Sequence, residues 1–415
     1  MNSLLKRLTP LLLLIFIDSF SYFVVIPILL QLFFQDSFGL LPSDTTLTQR
    51  NLLTSFAISI STFAALISAP FIGSLSDKYG RKITLLTCLS IMAFGFLLPI
   101  IGFYKKSIVL ILLGRTVSGI GSVSQPVAQA AVADICDHKE KSIALSWIAM
   151  MMTLPLIVGP LVGGYLSNNH LVSWFGITTP YWMAFLLSII NFALIIFYFK
   201  ETLNRGLASK TESIFTTIAK LKNVAQRYRI GALLLAFFLM ELAWSQYYQA
   251  SPLFLTHAAH YTAQQVGLFH AYLGIIMTLS LLVVYPLLNR YIVPKRLALH
   301  GTLLVLLGLM GCTLFPSAPF QWAFASLVAM FAGCTYVSLL TCISNQTPPN
   351  QQGFIMGYTS TILFLAWMLT GFGSGWLISI KLLLPFYVAT LASIICLLSL
   401  LKQRHTIEDK LIVSG

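Results

Sequence analysis

The sequence predicts an all-α polytopic membrane protein with twelve transmembrane helices in two groups of six. The first observation is the composition, which is 57% hydrophobic and 9% charged, whereas a soluble domain carries roughly a quarter charged residues. The second is the length of the apolar runs, which suits a hydrocarbon layer about 30 Å thick. The third is that basic residues fall between these runs. A soluble fold could not bury this much apolar surface.

The apolar runs give the predicted spans in order. In the first half of the chain they lie at 9–34, 51–76, 83–104, 108–135, 141–166 and 178–199. In the second half they lie at 230–256, 263–289, 296–315, 319–344, 353–380 and 383–401. These runs are predicted to be helices, because a backbone in lipid must satisfy its own hydrogen bonds and the runs are too long for the strands of a β-barrel.

A basic, polar stretch at residues 200–229 separates the two groups of helices. We therefore predict an N-terminal six-helix bundle at 1–199, a cytoplasmic linker at 200–229, and a C-terminal six-helix bundle with a short tail at 230–415. Two such bundles are expected to rock around a site at the membrane midplane.

The distribution of charge predicts the orientation. With the N-terminus in the cytoplasm, 20 of the 25 Lys and Arg residues lie on the cytoplasmic side, as the positive-inside rule requires. An even number of spans then places both termini there. Because the basic residues occupy loops, the net charge of +13 does not indicate nucleic-acid binding.

A loop after the second span carries the sequence Gly-Ser-Leu-Ser-Asp-Lys-Tyr-Gly-Arg-Lys at 73–82. Gly73 would allow close helix approach, Gly80 would allow a tight turn, and Asp77 could pair with Arg81. This segment closely resembles the loop signature of the major facilitator superfamily.

Further segments resemble the proton-antiporting drug exporters of that superfamily, especially its tetracycline-efflux branch. They are Asp18 with the distal Pro27 in the first span, and the arginine motif that begins at Arg115 in the fourth. The fourth span ends near Asp134, an acid that in this family meets the loop arginine. The resemblance thus implies a conformational latch on the cytoplasmic side, formed by Gly73, Asp77, Gly80, Arg81 and Asp134.

The fifth span contains a Gly-Pro-Leu-Val-Gly-Gly segment that is similar to the signature of antiporters in the same superfamily. Its residues are Gly159, Pro160, Gly163 and Gly164, and Pro155 precedes them where the family usually has glycine. Glycines permit close helix contacts and proline leaves a carbonyl without its donor. We expect a bent, tightly packed helix, and Pro155 keeps an importer possible.

Asp18 and Glu241 are the acidic residues that lie well inside predicted spans. A charge at mid-bilayer costs on the order of 2.5–3.5 kcal/mol, so such residues usually face a cavity or a partner. Burial favours the neutral carboxyl, which could exchange a proton. Both are candidate proton carriers, and Arg115 is a candidate for controlling the coupling. As an alternative, Asp18 could cap or bridge helices by hydrogen bonding. Glu241 could lie close enough to the cytoplasmic end of its span to be hydrated, and Arg115 could be an interfacial charge that snorkels to the membrane surface.

Polar and aromatic residues at helical spacing predict the wall of a substrate cavity: Tyr22, Gln125, Gln129, Trp244, Tyr248 and His270. Trp244 and Tyr248 follow Glu241 at three and seven residues and share its helix face. Tryptophan and tyrosine are also typical interface anchors, and a lone histidine is often a packing residue.

These features predict a proton-coupled antiporter that exports small amphiphilic molecules across the bacterial inner membrane. We expect it to act as a monomer and to interact with its substrate, protons and lipid, without a cofactor, a metal or enzymatic activity. The main alternative is a proton-coupled importer of an organic solute such as a siderophore or metabolite. A transporter-like sensor and an intramembrane enzyme are more remote alternatives.

Overall fold

In a computed structural model, the structure of the chain is described for residues 2–135, 138–169, 171–202, 230–347 and 349–413. The described residues separate into two compact units. The first contains the residues up to 202 together with Tyr261–Gly274, and the second contains residues 230–260 and those from Ile275 onward. Their regular secondary structure is entirely helical.

The first unit begins with a series of helices joined by short connections. They are α1 (Asn2–Phe23), α2 (Val25–Phe34), α3 (Leu47–Tyr79), α4 (Arg81–Tyr104), α5 (Ile108–Gly121), α6 (Ser124–Ile135), α7 (His138–Leu166) and α8 (Thr179–Tyr198).

The remaining helices follow residue 230. They are α9 (Gly231–Ala259), α10 (Ala263–Leu279), α11 (Tyr285–Asn289), α12 (Pro294–Leu314), α13 (Ala318–Asn345), α14 (Pro349–Ile380) and α15 (Leu384–Val413). Each span predicted from the sequence coincides with one of these helices or with consecutive ones.

Two spans predicted as continuous helices are interrupted. The span at 9–34 is divided between α1 and α2 at Val24, and the span at 108–135 is divided between α5 and α6 at residues 122–123. Each interruption lies close to the fourth residue before a proline, Pro27 or Pro126. Proline has no N–H for the carbonyl four residues earlier, and its ring clashes with that carbonyl.

The span at 263–289 is also not a uniform α-helix. A π-helical segment, Ser280–Val284, joins α10 to α11. There the Tyr285 N–H donates to the carbonyl of Ser280, five residues earlier. Pro286 follows directly and lacks an N–H, so the regular α-helical bonding is already interrupted at this point. Such segments are rare and are frequent at functional sites.

The exterior of both units is apolar. Within the described residues, nine helical stretches are long and apolar enough to cross a membrane. Many large apolar side chains are exposed, and Phe71, Leu186, Leu282 and Leu391 are each more than half exposed. So many exposed apolar side chains are unusual for a soluble protein and fit contact with lipid. Helix α9 is not among the nine, because polar residues interrupt its middle.

Helix α5 packs directly on the backbones of α3 and α4, and its glycines make this possible. A Cβ atom on Gly119 would lie 2.7 Å from Ser61 Cα, and one on Gly121 would lie 2.7 Å from Met92 N. Close approach of small residues is how membrane helices gain packing energy. It also brings Arg115 of α5 into the interior of the first unit.

Replacement of Gly119 by alanine should therefore destabilise the protein, because the backbone of α3 has no flexible side chain that could move aside. Overpacking typically costs about 1–3 kcal/mol. We expect a lower Tm for Gly119→Ala in detergent, measured by tryptophan fluorescence. Gly73→Ala is the matched control, since a Cβ there meets none of the described residues within 4 Å. Equal Tm values for the two variants would contradict this packing.

Candidate functional site

Asp18 is buried within α1 of the first unit. It lies between two apolar clusters, one that includes Leu14 and Ile15 and one that includes Ile17 and Phe20. Its side chain is 4% exposed, and its Oδ2 accepts a hydrogen bond of 2.5 Å from Ser124 Oγ. A carboxyl group in such surroundings is costly to charge, so the hydroxyl of Ser124 is an important partner.

The interruption between α5 and α6 places Ser124 in this position. Ser124 is the first residue of α6 and is fully buried. In a continuous helix through 108–135 the side chain of Ser124 would point in a different direction, because successive side chains are rotated by about 100° around a helix axis. The side chains of Gln125 and Gln129, which were predicted to line a cavity, lie outside the described part of the structure.

Arg115 is buried and donates to oxygen atoms of two neighbouring helices. Its Nε donates to the carbonyl of Ala57 at 3.1 Å, and its Nη2 donates to the hydroxyl of Ser61 at 3.1 Å. Its Nη1 donates to the carbonyl of Ser21 at 3.3 Å, and Ser21 Oγ in turn donates to the carbonyl of Asp18 at 2.7 Å. The interpretation as a snorkelling charge is therefore wrong, since the guanidinium joins α5 to α3 and to the turn that follows Asp18.

Tyr22 lies in the same region. It shares a side-chain hydrogen bond with Thr62 of α3 and is near enough to Arg115 to interact electrostatically. Its ring is half-buried and contacts Phe23 edge to face at 5.2 Å. Asp18, Tyr22 and Arg115 thus share one part of the first unit.

The predicted ion pair spans the connection between α3 and α4, with Asp77 in α3 and Arg81 in α4. Arg81 Nη1 lies 2.9 Å from Asp77 Oδ1 and also donates to Ser76 Oγ at 2.7 Å. Gly80 has a φ of 106°, which favours glycine. Among the described residues, nothing lies within 4 Å of the position of a Cβ on Gly73, so they show no close helix contact there. The side chain of Asp134 is outside the described residues.

Glu201, which follows α8, is a contact of this loop that the sequence did not reveal. Its two carboxylate oxygens accept the backbone N–H groups of Arg81 at 2.9 Å and Lys82 at 3.0 Å. These are the first two N–H groups of α4, which have no partner within the helix. The negative charge also interacts favourably with the helix dipole.

The glycines of α7 face two different neighbours within the first unit. Gly159 and Gly163 lie against the interruption between α1 and α2, where a Cβ on Gly159 would lie 3.0 Å from Val24 N. Gly164 lies on the side of α10, where its Cβ would be 3.0 Å from the carbonyl oxygen of Ala263. The tight packing expected of this segment is therefore present.

Carbonyl groups of α7 also lie directly against glycines of α10. Pro155 and Pro160 are both inside α7, and Pro160 cannot donate to the carbonyl of Leu156. A Cβ on Gly274 would be 2.8 Å from that carbonyl oxygen, and Gly267 lies directly against the carbonyl of Pro160. Only glycine allows backbones to approach this closely.

His270 is fully buried in α10. Its Nδ1 lies 3.0 Å from the carbonyl oxygen of Val266, one turn earlier in the same helix, and its ring contacts Phe269 at 5.7 Å. Like Tyr22, it belongs to the first unit.

Glu241 is the buried acidic residue of the second unit. Its side chain is 5% exposed, and its Oε2 accepts a hydrogen bond from the indole N–H of Trp367 at 3.3 Å. Within the described residues, Glu241 has no ion pair with lysine, arginine or histidine. Tyr336 of α13 lies near enough to Glu241 to interact electrostatically.

Polar side chains connect α9 to α14 along the helix face that carries Glu241. Thr370 Oγ1 donates to Ser245 Oγ at 2.9 Å and accepts from Gln249 Nε2 at 2.7 Å. Gln246 Nε2 donates to Ser374 Oγ at 2.9 Å. These bonds fix the two helices relative to each other and place Trp367 beside Glu241.

Three aromatic rings lie in a row here, with Trp244 and Tyr248 after Glu241 on α9 and Trp367 on α14. The ring centroids of Trp244 and Tyr248 are 5.5 Å apart, and those of Tyr248 and Trp367 are 5.7 Å apart. Trp244 and Tyr248 are buried, while Trp367 is half-buried. The spacing of Trp244 and Tyr248 from Glu241 indicated this arrangement, but nothing in the sequence indicated that Trp367 would complete it.

Comparison with known proteins gives one family and several relatives. A family model for the Major Facilitator Superfamily matches residues 11–371. The tetracycline resistance protein, class B, of Escherichia coli is 27% identical over 184 residues, which cover 42% of this chain and 44% of that protein. The chain thus spans less than half of that relative's length. Multidrug resistance protein 2 of Bacillus subtilis is 26% identical over 370 residues, 84% of each chain.

Relatives also occur in mammals, and the fold is shared with solved structures. The human hippocampus abundant transcript 1 protein is 26% identical over 82% of this chain and 69% of that protein. The human organic anion transporter MFSD10 (TETRAN) has a TM-score of 0.71 at 17% identity, covering 95% of this chain and 99% of that one. The D-xylose-proton symporter has a TM-score of 0.72 at 14% identity, covering 96% and 97%. These structures establish similarity of fold.

Glu201→Gln should loosen the first turn of α4. A glutamine side chain offers one acceptor oxygen, and its NH₂ group would face the second backbone N–H, so one of the two hydrogen bonds is lost. A lost cap costs about 1 kcal/mol, which corresponds to roughly fivefold faster amide exchange.

Hydrogen exchange of the peptide containing Arg81 and Lys82, measured by mass spectrometry in nanodiscs, checks this prediction. Asp44→Asn is the control, since Asp44 is an exposed acid in the loop that precedes α3. Unchanged exchange in Glu201→Gln would show that the carboxylate does not hold this turn.

Proposed function

This chain belongs to the Major Facilitator Superfamily, and we propose that it is a secondary transporter that exports small amphiphilic molecules in exchange for protons. The observation that carries the proposal is the buried carboxyl group of Asp18, with the Ser124 hydroxyl 2.5 Å from it. A carboxyl group inside a membrane helix is a candidate for a proton relay.

The Ser124 hydroxyl suits a group that changes its protonation state. A hydroxyl both donates and accepts hydrogen bonds. It donates to Asp18 when the carboxylate is charged, and it accepts from the carboxylic acid when the proton is bound. Both states of Asp18 are therefore satisfied without a change of partner, which lowers the cost of moving between them.

Arg115 supports this role by holding the helix turn that follows Asp18. Its donors reach carbonyl groups of Ser21 and Ala57 and the hydroxyl of Ser61. A guanidinium keeps its charge throughout the cycle, so the proton exchange falls to the carboxyl group. We assign Arg115 to positioning and coupling, and Glu241 remains the second candidate for a carrier.

The cytoplasmic latch is proposed from the loop between α3 and α4. The Asp77–Arg81 pair and the Glu201 carboxylate hold the start of α4, with Gly80 supplying the turn. We include Asp134 in the latch because of the family resemblance, in which an acid at this position meets the loop arginine. Breaking these charge-assisted bonds would release α4 when the transporter changes conformation.

Two observations favour export. The relatives include a tetracycline resistance protein and a multidrug resistance protein, and α7 carries the glycine segment that resembles an antiporter signature. Pro155 of α7 departs from that signature, and it keeps proton-coupled import as the second candidate. The proposed cavity residues are Tyr22, Gln125, Gln129, Trp244, Tyr248 and His270.

We further propose the twelve-span topology with both termini in the cytoplasm, in a bacterial inner membrane. The support is the excess of basic residues in alternate loops. The proposed bundles are residues 1–199 and 230–415, with residues 200–229 as the linker, and the expected functional form is a monomer.

Asp18→Asn should abolish proton-coupled transport, because an amide cannot bind and release a proton near neutral pH. The measurement is proton movement in liposomes that contain the purified protein, challenged with amphiphilic cations, tetracycline-like compounds and iron chelators. We expect at least one compound to drive proton flux opposite to its own movement. Asp18→Asn should reduce that flux by at least tenfold.

Asp44→Asn serves as the matched control because it removes an exposed carboxylate and should leave the flux unchanged. Proton flux in the same direction as the substrate would establish an importer. Binding without flux would favour a sensor, and full activity of Asp18→Asn would eliminate Asp18 as the carrier.

A further inference from the structure

We propose that Glu241 and the rings of Trp244, Tyr248 and Trp367 form a binding site for an organic cation. This inference rests on the proposed transport function, since it assigns the chemical class of the substrate. It also changes the role of Glu241 from proton carrier to recognition of the cation.

The first argument is that the described residues place no positive charge at ion-pair distance from Glu241. Its carboxylate is buried, and the donor assigned to it is the neutral indole N–H of Trp367 at 3.3 Å. A buried charge is expensive unless an opposite charge compensates it. The described residues supply no basic side chain at ion-pair distance from Glu241, so a cationic ligand would be the missing partner.

The second argument is the arrangement of the rings. Centroid distances of 5.5 Å and 5.7 Å connect Trp244 to Tyr248 and Tyr248 to Trp367, and both pairs are tilted by 50°. Aromatic faces attract cations within about 6 Å, with tryptophan the strongest. Trp244 and Tyr248 are buried, so the tilted rings beside the carboxylate offer an apolar interior that suits a large, weakly hydrated cation.

The third argument is that this surface is held in place. The bonds from Thr370 to Ser245 and Gln249 join α9 to α14, and Gln249 Nε2 also donates to the carbonyl of Trp367 at 2.9 Å. A preorganised site binds its ligand with less loss of conformational entropy. Trp367 is half-buried, so the ring is not sealed from a ligand.

The same features disfavour other ligand classes. An anion would be repelled by Glu241. A hard metal ion such as Mg²⁺ or Ca²⁺ needs about six oxygen ligands, whereas the partners of Glu241 include the aromatic residues Trp367 and Tyr336. A neutral polyol would leave the carboxylate without a counter-charge. A monovalent organic cation with an apolar body satisfies both the charge and the rings.

The test is equilibrium binding to the purified full-length protein in nanodiscs, with tetraphenylphosphonium as the cation and triphenylphosphine oxide as a neutral probe. We expect Glu241→Gln to weaken tetraphenylphosphonium binding by at least tenfold and to change binding of the neutral probe by less than twofold. Trp367→Ala should also weaken cation binding at least tenfold. Trp367→Phe keeps a ring and loses the indole N–H, so its cation affinity should stay within threefold of wild type.

Thermal unfolding of each variant separates loss of the site from loss of the fold. Trp367→Phe is the second variant if Glu241→Gln does not fold. Equal cation binding by wild type and Glu241→Gln, or weak cation binding by a well-folded Trp367→Phe, would overturn the proposal. Asp44→Asn should bind the cation as wild type does.

Proton flux in liposomes from the same preparation separates this inference from the proposed transport function. If another compound drives proton antiport while tetraphenylphosphonium does not bind, the cation site is wrong and the proposed transport function stands. If cation binding depends on Glu241 while no compound moves protons, the proposed transport function is wrong and the cation site stands.

Discussion

The site in the first unit depends on one constraint, which is that the backbone carbonyl groups of its helices need partners. In lipid, a carbonyl that loses its helical donor must find another partner or pack against backbone. Pro27 and Pro126 remove two donors, and the helices are interrupted close to the carbonyls concerned, at Val24 and at residues 122–123. The second interruption brings Ser124 to Asp18. Arg115 contributes further donors in the same interior.

The same constraint explains the position of α7. Pro160 leaves the carbonyl of Leu156 without its helical donor, and Gly274 of α10 allows that carbonyl to approach the neighbouring backbone. Residues Tyr261–Gly274 belong to the first unit, although residues 230–260 before them belong to the second. A few residues later the π-helical segment Ser280–Val284 changes the hydrogen-bond pattern of this span.

The sequence predicted those parts of the structure that depend on local patterns. Apolar length predicted the helices, and the spacing of Asp77 and Arg81 predicted their ion pair. The partners that complete the sites are distant in sequence: Ser124 is 106 residues from Asp18, and Trp367 is 126 residues from Glu241. Glu201 is 120 residues from Arg81. Their positions depend on how helices pack, which periodicity in one helix does not specify. The span at 108–135 was predicted as continuous, although Pro126 could have indicated the interruption, because it cannot donate to the carbonyl of Ser122.

The two buried carboxyl groups differ in their partners, and this difference argues for different roles. A hydroxyl partner accepts or donates, so Ser124 satisfies Asp18 with and without a proton. The indole N–H of Trp367 only donates, so it satisfies Glu241 as a carboxylate but offers nothing to the hydrogen of a neutral acid. Around Glu241 the rings of Trp244 and Tyr248 also favour a positive charge. The surroundings of Asp18 suit a group that changes charge, whereas those of Glu241 suit a carboxylate whose charge is compensated by a bound cation.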